Sequence, residues 1–233
     1  MEEEIIQHIR DFFDKDLISL FVEGSYATHD FVEEYSDYDL LALVRDYKKF
    51  PNIDLSDLSK KYSVNIQCDI RPLQDLINRI KNNNKATRFI NNLRLIKIKK
   101  QSRLLAGKNI KNLVPNVKEI VKRDLYCELR ADYYHATNSN PAWNIYRREP
   151  RHWVNYIINM GNNLLLSKGI VVKKSKIPEI LIRYCHDFKG TSFVKKALIL
   201  RKTKRVLNLN KTEKNQLRKE LTLFLEEYKS YTF

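Results

Sequence analysis

The chain has 233 residues, 43% hydrophobic and 30% charged, with only 5 glycines and a formal net charge of +15. This is enough chain for one large core or two modest ones, and it excludes a collagenous or low-complexity protein. The acidic start MEEEII is unlike a secretory signal, and no run approaches the roughly 18 apolar residues of a membrane helix, so a cytoplasmic protein with no membrane partner is expected.

The three cysteines, Cys68, Cys127 and Cys185, are far apart with no Cys-x-x-Cys pair, and they read as reduced thiols. The charge is divided unevenly. Residues 1–80 hold 9 Lys+Arg against 17 Asp+Glu, whereas the remainder holds 34 against 11. Such asymmetry points the later part towards something anionic, such as nucleotide phosphates or RNA, or else reflects solvated lysines.

In chain order, residues 3–14 place Ile5, Ile6, Ile9, Phe12 and Phe13 on one helical face. Residues 17–23 form a short apolar strand ending at Gly24, 26–34 a turn or two of helix, and 38–44 a second buried strand. A helix is expected over 52–61, after Pro51. Residues 62–70, YSVNIQCDI, alternate: Val64, Ile66 and Cys68 face one way, Asn65, Gln67 and Asp69 the other. Helical spacing resumes after Pro72 to about Asn92, and 95–105 reads as a further strand closed by Gly107. From Pro115 the strand signals stop, and residues 117–134, 150–168, 175–188, 193–204 and 212–228 all carry helical periodicity. The expected fold class is therefore α/β (α+β), with a small mixed sheet in residues 1–112 followed by an all-α helical bundle in 113–233.

The chemistry concentrates in VEGSYATHDFVEEYSDYDLLALV, residues 22–44. Asp37 and Asp39 are two apart at the mouth of a strand, so both side chains leave the same face. Carboxylates there need a counter-charge, and hard oxygen donors select Mg2+ or Mn2+. Asp69, on the polar face of the next strand, completes a three-carboxylate set if the strands pair, as in sites that hold two ions about 4 Å apart for phosphoryl transfer. Gly24 lets phosphate oxygens approach the backbone, and Ser25 adds a hydroxyl at the start of a helix. Each feature alone is common; their order along the chain carries the weight.

Gly24-Ser25, then Ser36-Asp37-Tyr38-Asp39-Leu40, then Asp69, resembles the DNA polymerase beta-type nucleotidyltransferase superfamily. Its small members include the kanamycin- and streptomycin-type enzymes and minimal antitoxin proteins. The likeness covers roughly residues 17–110, including SRLLAGKNI. It implies that Asp37, Asp39 and Asp69 hold two Mg2+ or Mn2+ ions, with Asp69 also a candidate base. It implies further that Gly24, Ser25 and Ser36 bind a nucleoside triphosphate. The reaction would be attack of an acceptor hydroxyl on the α-phosphate, moving AMP from ATP and releasing pyrophosphate.

Residues 153–180 resemble the helical bundle of antibiotic nucleotidyltransferases and, equally, HEPN domains. Two Arg-x4-His matches, Arg130 to His135 and Arg147 to His152, are expected by chance in so basic a chain. In kanamycin-type enzymes an acid of the helical domain is the general base, which makes Glu128 a candidate, with Asp132 one turn on; a solvated helical face is the alternative. Tyr133, Tyr134, Trp143 and Tyr146, interleaved with Arg130, Arg147, Arg148 and Arg151, suit either base stacking or an ordinary core with a basic rim.

The expected acceptor is a small hydroxylated molecule of the aminoglycoside kind. The basic second half repels such polycations and keeps a second acceptor class open: tRNA or a partner protein, as in toxin–antitoxin pairs. A catalytically silent nucleotide- or RNA-binding module is the third alternative, and a homodimer is carried as a further expectation.

Overall fold

The computed structural model describes residues 1–45, 52–81, 90–123, 125–138 and 144–233. Pro51, the 82–89 part of the expected long helix, and Trp143 lie outside the described residues. The chain forms two compact units, Met1–Arg123 and Asp124–Phe233.

The first unit is a mixed sheet with helices. Helix α1 (Glu2–Phe13) buries Ile5, Ile9 and Phe13 at the three- and four-residue spacing of one face. Strand β1 (Leu17–Val22) leads into the short helix α2 (Gly24–Ala27), and β2 (Tyr38–Val44) follows. Then come α3 (Ser56–Tyr62), β3 (Ile66–Pro72), α4 (Leu73–Lys81), α5 (Asn92–Gln101), β4 (Arg103–Gly107) and the single turn α6 (Val117–Ile120). The sheet order is β3-β2-β1-β4. β1 pairs antiparallel with β2 and β4, and β2 pairs parallel with β3.

Both faces of this sheet are packed. On one, Tyr38, Leu40, Ala42, Val44, Ile66 and Ile70 pack with Leu20, Val22, Ala106 and the apolar face of α1; on the other, Phe21, Leu41 and Leu43 are buried. The alternation in β2 therefore sends Asp37, Asp39 and Leu41 to the other face. Tyr38, 1% exposed, donates its hydroxyl to Glu2 Oε2 at 2.8 Å. Arg103 of β4 grips the same carboxylate with two N–H groups at 2.6 and 3.0 Å. This buried tyrosine, set between the two aspartates, thereby ties β2 to α1 and β4.

The expected strand over 95–105 divides differently. Its first part is helix α5, and only residues 103–107 are strand. The alternating stretch LIKIKK invites a strand assignment, but Leu93 with Ile96 and Leu95 with Ile98 are also three apart, and all four are buried. Asn91 settles the choice locally by accepting the Arg94 amide at 2.8 Å as a helix N-cap. The strand expected over 62–70 is likewise shifted, because α3 runs to Tyr62 and the pairing with β2 begins at Ile66.

Gly107 ends β4 at φ +79°, with a Cβ position only 2.3 Å from the backbone oxygen of Ile18. Backbone on both sides of that contact cannot yield as a side chain would. Gly107→Ala is expected to lower the stability of the chain by about 3 kcal/mol, read as a drop in the thermal melting midpoint.

The described elements of the second unit are all helical, the α-helices being α7 (Tyr126–Thr137), α8 (Pro150–Ser167), α9 (Ile177–Tyr184), α10 (Thr191–Lys202) and α11 (Lys211–Thr232). The single helix expected over 117–134 is thus two, α6 and α7. Helix α8 is central, burying Trp153, Val154, Ile157, Ile158, Met160 and Leu164–Leu166 against α7, α9, α10 and α11. Gly161 permits close packing, since a Cβ there would meet Val194 Cγ2 at 3.0 Å. The helix stops at Gly169, φ +75°. Asn210 and Glu213 start α11 with a reciprocal capping box. No described helix is long and apolar enough to cross a membrane.

Candidate active site

The candidate site is at the start of β2, on the sheet face opposite that of Tyr38 and Leu40, where Asp37 and Asp39 are partly exposed. Asp37 immediately precedes the strand, and Asn65 Nδ2 donates to its Oδ1 at 3.0 Å. The Asn65 carbonyl accepts the Tyr38 amide at 2.8 Å, so one asparagine at the entrance to β3 steadies both the backbone and the first aspartate. Asp39 lies two residues on, partly exposed, and its carbonyl accepts the Glu23 amide at 2.8 Å. That bond brings the end of β1, and with it Gly24, beside the second aspartate.

Gly24 has φ +64°, and a Cβ there would lie 2.7 Å from Asp39 Oδ2. Only a glycine leaves this carboxylate room, so the Gly-Ser turn and Asp39 form one packed unit. The turn is held from below by aromatic contacts. Tyr26 stacks on Phe31 with centroids 4.8 Å apart and meets Tyr38 edge-on at 4.7 Å. The Gly24 carbonyl accepts from Thr28 Oγ1 at 3.1 Å, and the Ser25 carbonyl accepts the Asp30 amide at 2.9 Å. Ser25 is buried at 4% exposure. Ser36 accepts the Val32 amide at 2.8 Å through its hydroxyl and so also shapes the loop that delivers Asp37.

Asp69 shares the face of Asp37 and Asp39, as the alternation requires, but the register offsets it. Asp39 is opposite Gln67 and Asp69 is opposite Leu41, which places Asp69 about 7 Å further along the strands. Both of its oxygens meet arginines. Arg71 NH2 lies 2.7 Å from Oδ1, and Arg94 of α5 donates NH1 to Oδ2. Arg94 also donates NH2 to Glu23 Oε2 at 2.7 Å, bridging the residue before Gly24 to the third aspartate. Burial alone would push the Arg94 guanidinium down; the Glu23 and Asp69 carboxylates beside it more than reverse this and hold it above its ordinary value. Next in sequence, the Cys68 thiol is pushed up to about 12 by burial and by the Asp69 charge, so it stays a neutral core group.

Among the described residues, no group of three or more His, Cys, Asp and Glu side chains is gathered as a metal cluster. The expected cradle of Asp37, Asp39 and Asp69 is therefore not assembled in this structure. The physical reason is at hand: guanidinium groups already supply the counter-charge to Asp69. Asp37 and Asp39 remain a pair of hard oxygen donors on one face, the donor chemistry that Mg2+ or Mn2+ takes. Arg94, Arg71 and Glu23 were not anticipated as site residues. The D-I-R spacing of β3 puts Arg71 beside Asp69 by alternation, and a glutamate at the end of a buried strand was a second available signal; Arg94 had none, because its segment looked extended.

The remaining candidates belong to the helical unit. Glu128 is buried in the first turn of α7 at 9% exposure. Asp132, one turn on, accepts from Asn163 Nδ2 at 2.7 Å through Oδ2 and from the Tyr156 hydroxyl at 3.0 Å through its carbonyl. Tyr133, Tyr134 and Phe233 cluster edge to face at 5.5–5.9 Å. Arg130 lies over Phe233, Lys229 over Tyr133 and Arg218 over Tyr146. His135 is exposed on α7 and His152 lies in the first turn of α8.

By sequence, no family model and no curated protein matches the chain. By structure, it is similar to the spectinomycin adenyltransferase AAD(9) from Enterococcus faecialis, solved with ATP and spectinomycin. The match spans 97% of this chain and 97% of that one, with a TM-score of 0.57 and 12% identity. Two toxin–antitoxin structures match over less. One, with AMP-PNP, covers 56% of this chain and 90% of its own at 16% identity and a TM-score of 0.34. The other, a mutant of MntA-HpeT, covers 57% and 91% at 16% identity and a TM-score of 0.35. The fold is nucleotidyltransferase-like: a mixed-sheet domain followed by an all-α bundle.

Proposed function

We propose that the chain is a metal-dependent nucleotidyltransferase that moves AMP from ATP onto an acceptor hydroxyl and releases pyrophosphate. The observation that carries this reading is the packing of Gly24 against Asp39: the turn suited to phosphate oxygens and the carboxylate suited to a cation share one point of the sheet face. Asp37 and Asp39 would hold Mg2+ or Mn2+, with Asp69 as the third donor. A divalent ion bound there supplies charge neutralisation on the triphosphate and a more acidic acceptor hydroxyl. Gly24 and Ser25 would orient the phosphates through their backbone, with Ser36 keeping the aspartate loop in place. Such positioning, together with electrostatic stabilisation, supplies most of the rate in phosphoryl-group chemistry.

The full-length likeness to a spectinomycin adenyltransferase supports a small hydroxylated acceptor, and Glu128 is the helical-unit acid proposed to assist its deprotonation. A second reading, transfer to tRNA or another anionic acceptor, is favoured by charge. Residues 124–233 hold 21 Lys+Arg against 10 Asp+Glu. Incubation with α-labelled ATP, Mg2+ and either aminocyclitol and aminoglycoside panels or bulk tRNA decides between them by where the label goes. ATP binding with no label on any acceptor points to a silent binding module. No transfer and no ATP binding removes the enzyme reading altogether.

A further inference from the structure

We infer that Arg94 is a two-position latch that decides whether Asp69 is available to the site, an inference that rests on the nucleotidyl-transfer reading above. In the position seen here the guanidinium bridges two carboxylates, NH1 to Asp69 and NH2 to Glu23. In the second position it closes on Glu23 alone and frees Asp69 to join Asp37 and Asp39.

Three observations carry the second position. Glu23 Oε2 already accepts from Arg94 at 2.7 Å, while Oε1 of the same carboxylate is buried and has no hydrogen-bond partner. A buried carboxylate oxygen without a donor is unfavourable, and a guanidinium presents paired N–H groups whose spacing matches the two oxygens of one carboxylate. The N–H released by Asp69 thus has an acceptor waiting on the group that Arg94 already holds. Second, the Arg94 side chain is 21% exposed and that of Glu23 17%, so the pair is neither loose on the surface nor sealed in the core. Third, Arg71 stays on Asp69 Oδ1 at 2.7 Å, so the aspartate keeps one counter-charge when the latch opens. The latch also accounts for a face that carries three aspartates but no three-carboxylate cluster among its described residues.

Arg94 is on this account a positioning residue, acting through Asp69. Its guanidinium and a divalent cation compete for the same oxygen, so the bridge lowers the cation affinity of the resting site. Glu23 has the opposite effect, because it gives Arg94 somewhere else to go.

The test is Mn2+ binding to the full chain without nucleotide, followed by the loss of the free-ion electron paramagnetic resonance signal. Arg94→Met is expected to tighten Mn2+ binding about tenfold, and Asp69→Asn in the same chain is expected to erase that gain. Glu23→Gln is expected to weaken binding while Arg94 is present and to change it little once Arg94 is Met. A gain from Arg94→Met that persists undiminished in the Asp69→Asn background is simple charge relief and overturns the latch, as does no gain at all. Arg94→Lys keeps the charge but lacks the planar pair of N–H groups that matches the two oxygens of one carboxylate. It gives a partial, Asp69-dependent gain if the latch holds and decides the matter should Arg94→Met fail to fold by circular dichroism. Asp39→Asn separates the two claims. If Mn2+ binds but Asp39→Asn leaves binding unchanged, the nucleotidyl-transfer site is misassigned and the latch falls with it. If Asp39→Asn abolishes binding while the Arg94 and Asp69 variants behave independently, only the latch falls.

Discussion

Asp39→Asn is expected to lower nucleotidyl transfer about a thousandfold while leaving the chain folded, the equivalent of roughly 4 kcal/mol of transition-state stabilisation. The side chain stands partly exposed at the start of β2, and the strand is pinned on its other side by Tyr38, Leu40 and Ala42. Asparagine preserves the shape and removes the negative charge, one of the oxygen donors with which Asp37 and Asp39 would neutralise a cation and, through it, a triphosphate. Label transfer from ATP at saturating nucleotide reads the loss, and a thermal melt within a few degrees of wild type shows that the fold is intact. A variant that retains more than a tenth of the activity would remove Asp39 from the site.

Gly24→Ala is expected to reduce transfer about a hundredfold with a stability loss of only about 1 kcal/mol. The two effects separate because of what the new methyl group meets. At Gly107 the obstacle is backbone, the Ile18 oxygen at 2.3 Å, and the sheet itself is strained. At Gly24 it is the end of a side chain, Asp39 Oδ2 at 2.7 Å, which can rotate away. Rotation relieves the clash but moves a carboxylate oxygen out of its working position, and displacement of a reacting or positioning group by about 1 Å costs on the order of a hundredfold in rate. The remaining stability loss is that of alanine at φ +64°. Activity and melting measured side by side for Gly24→Ala and Gly107→Ala should therefore fall in opposite proportion. Equal stability losses at the two positions would contradict this account of Gly24.

Local pattern carried far in this chain. Helix α1 was readable from Ile5, Ile9 and Phe13, and β2 from an apolar run that starts at Tyr38 and ends at Val44. The change from mixed sheet to helical bundle was visible as the disappearance of strand signals after Pro115. Assignment failed where two periods coexist. In residues 93–98 the apolar positions satisfy both alternation and a three-residue repeat, and the Asn91 cap together with the burial of Leu93, Leu95, Ile96 and Ile98 chose the helix.

For the site, the amino-acid sequence by itself determined that Asp37 and Asp39 share one face, and that Asp69 lies on the polar face of its own strand, since side-chain alternation follows from the pleat alone. It also determined that a glycine and a serine close the preceding strand. Only the tertiary structure decided what those carboxylates touch. The parallel register of β2 and β3 sets Asp69 two residues beyond the position opposite Asp39, and α5 delivers Arg94 across 25 residues of chain to Asp69 and 71 to Glu23. Long-range charge pairing of this kind depends on where a helix docks, and docking is fixed by the whole apolar face of α5 rather than by the residues that do the pairing. The sequence thus placed the first two acids, and the fold brought the third to their face with an arginine already on it.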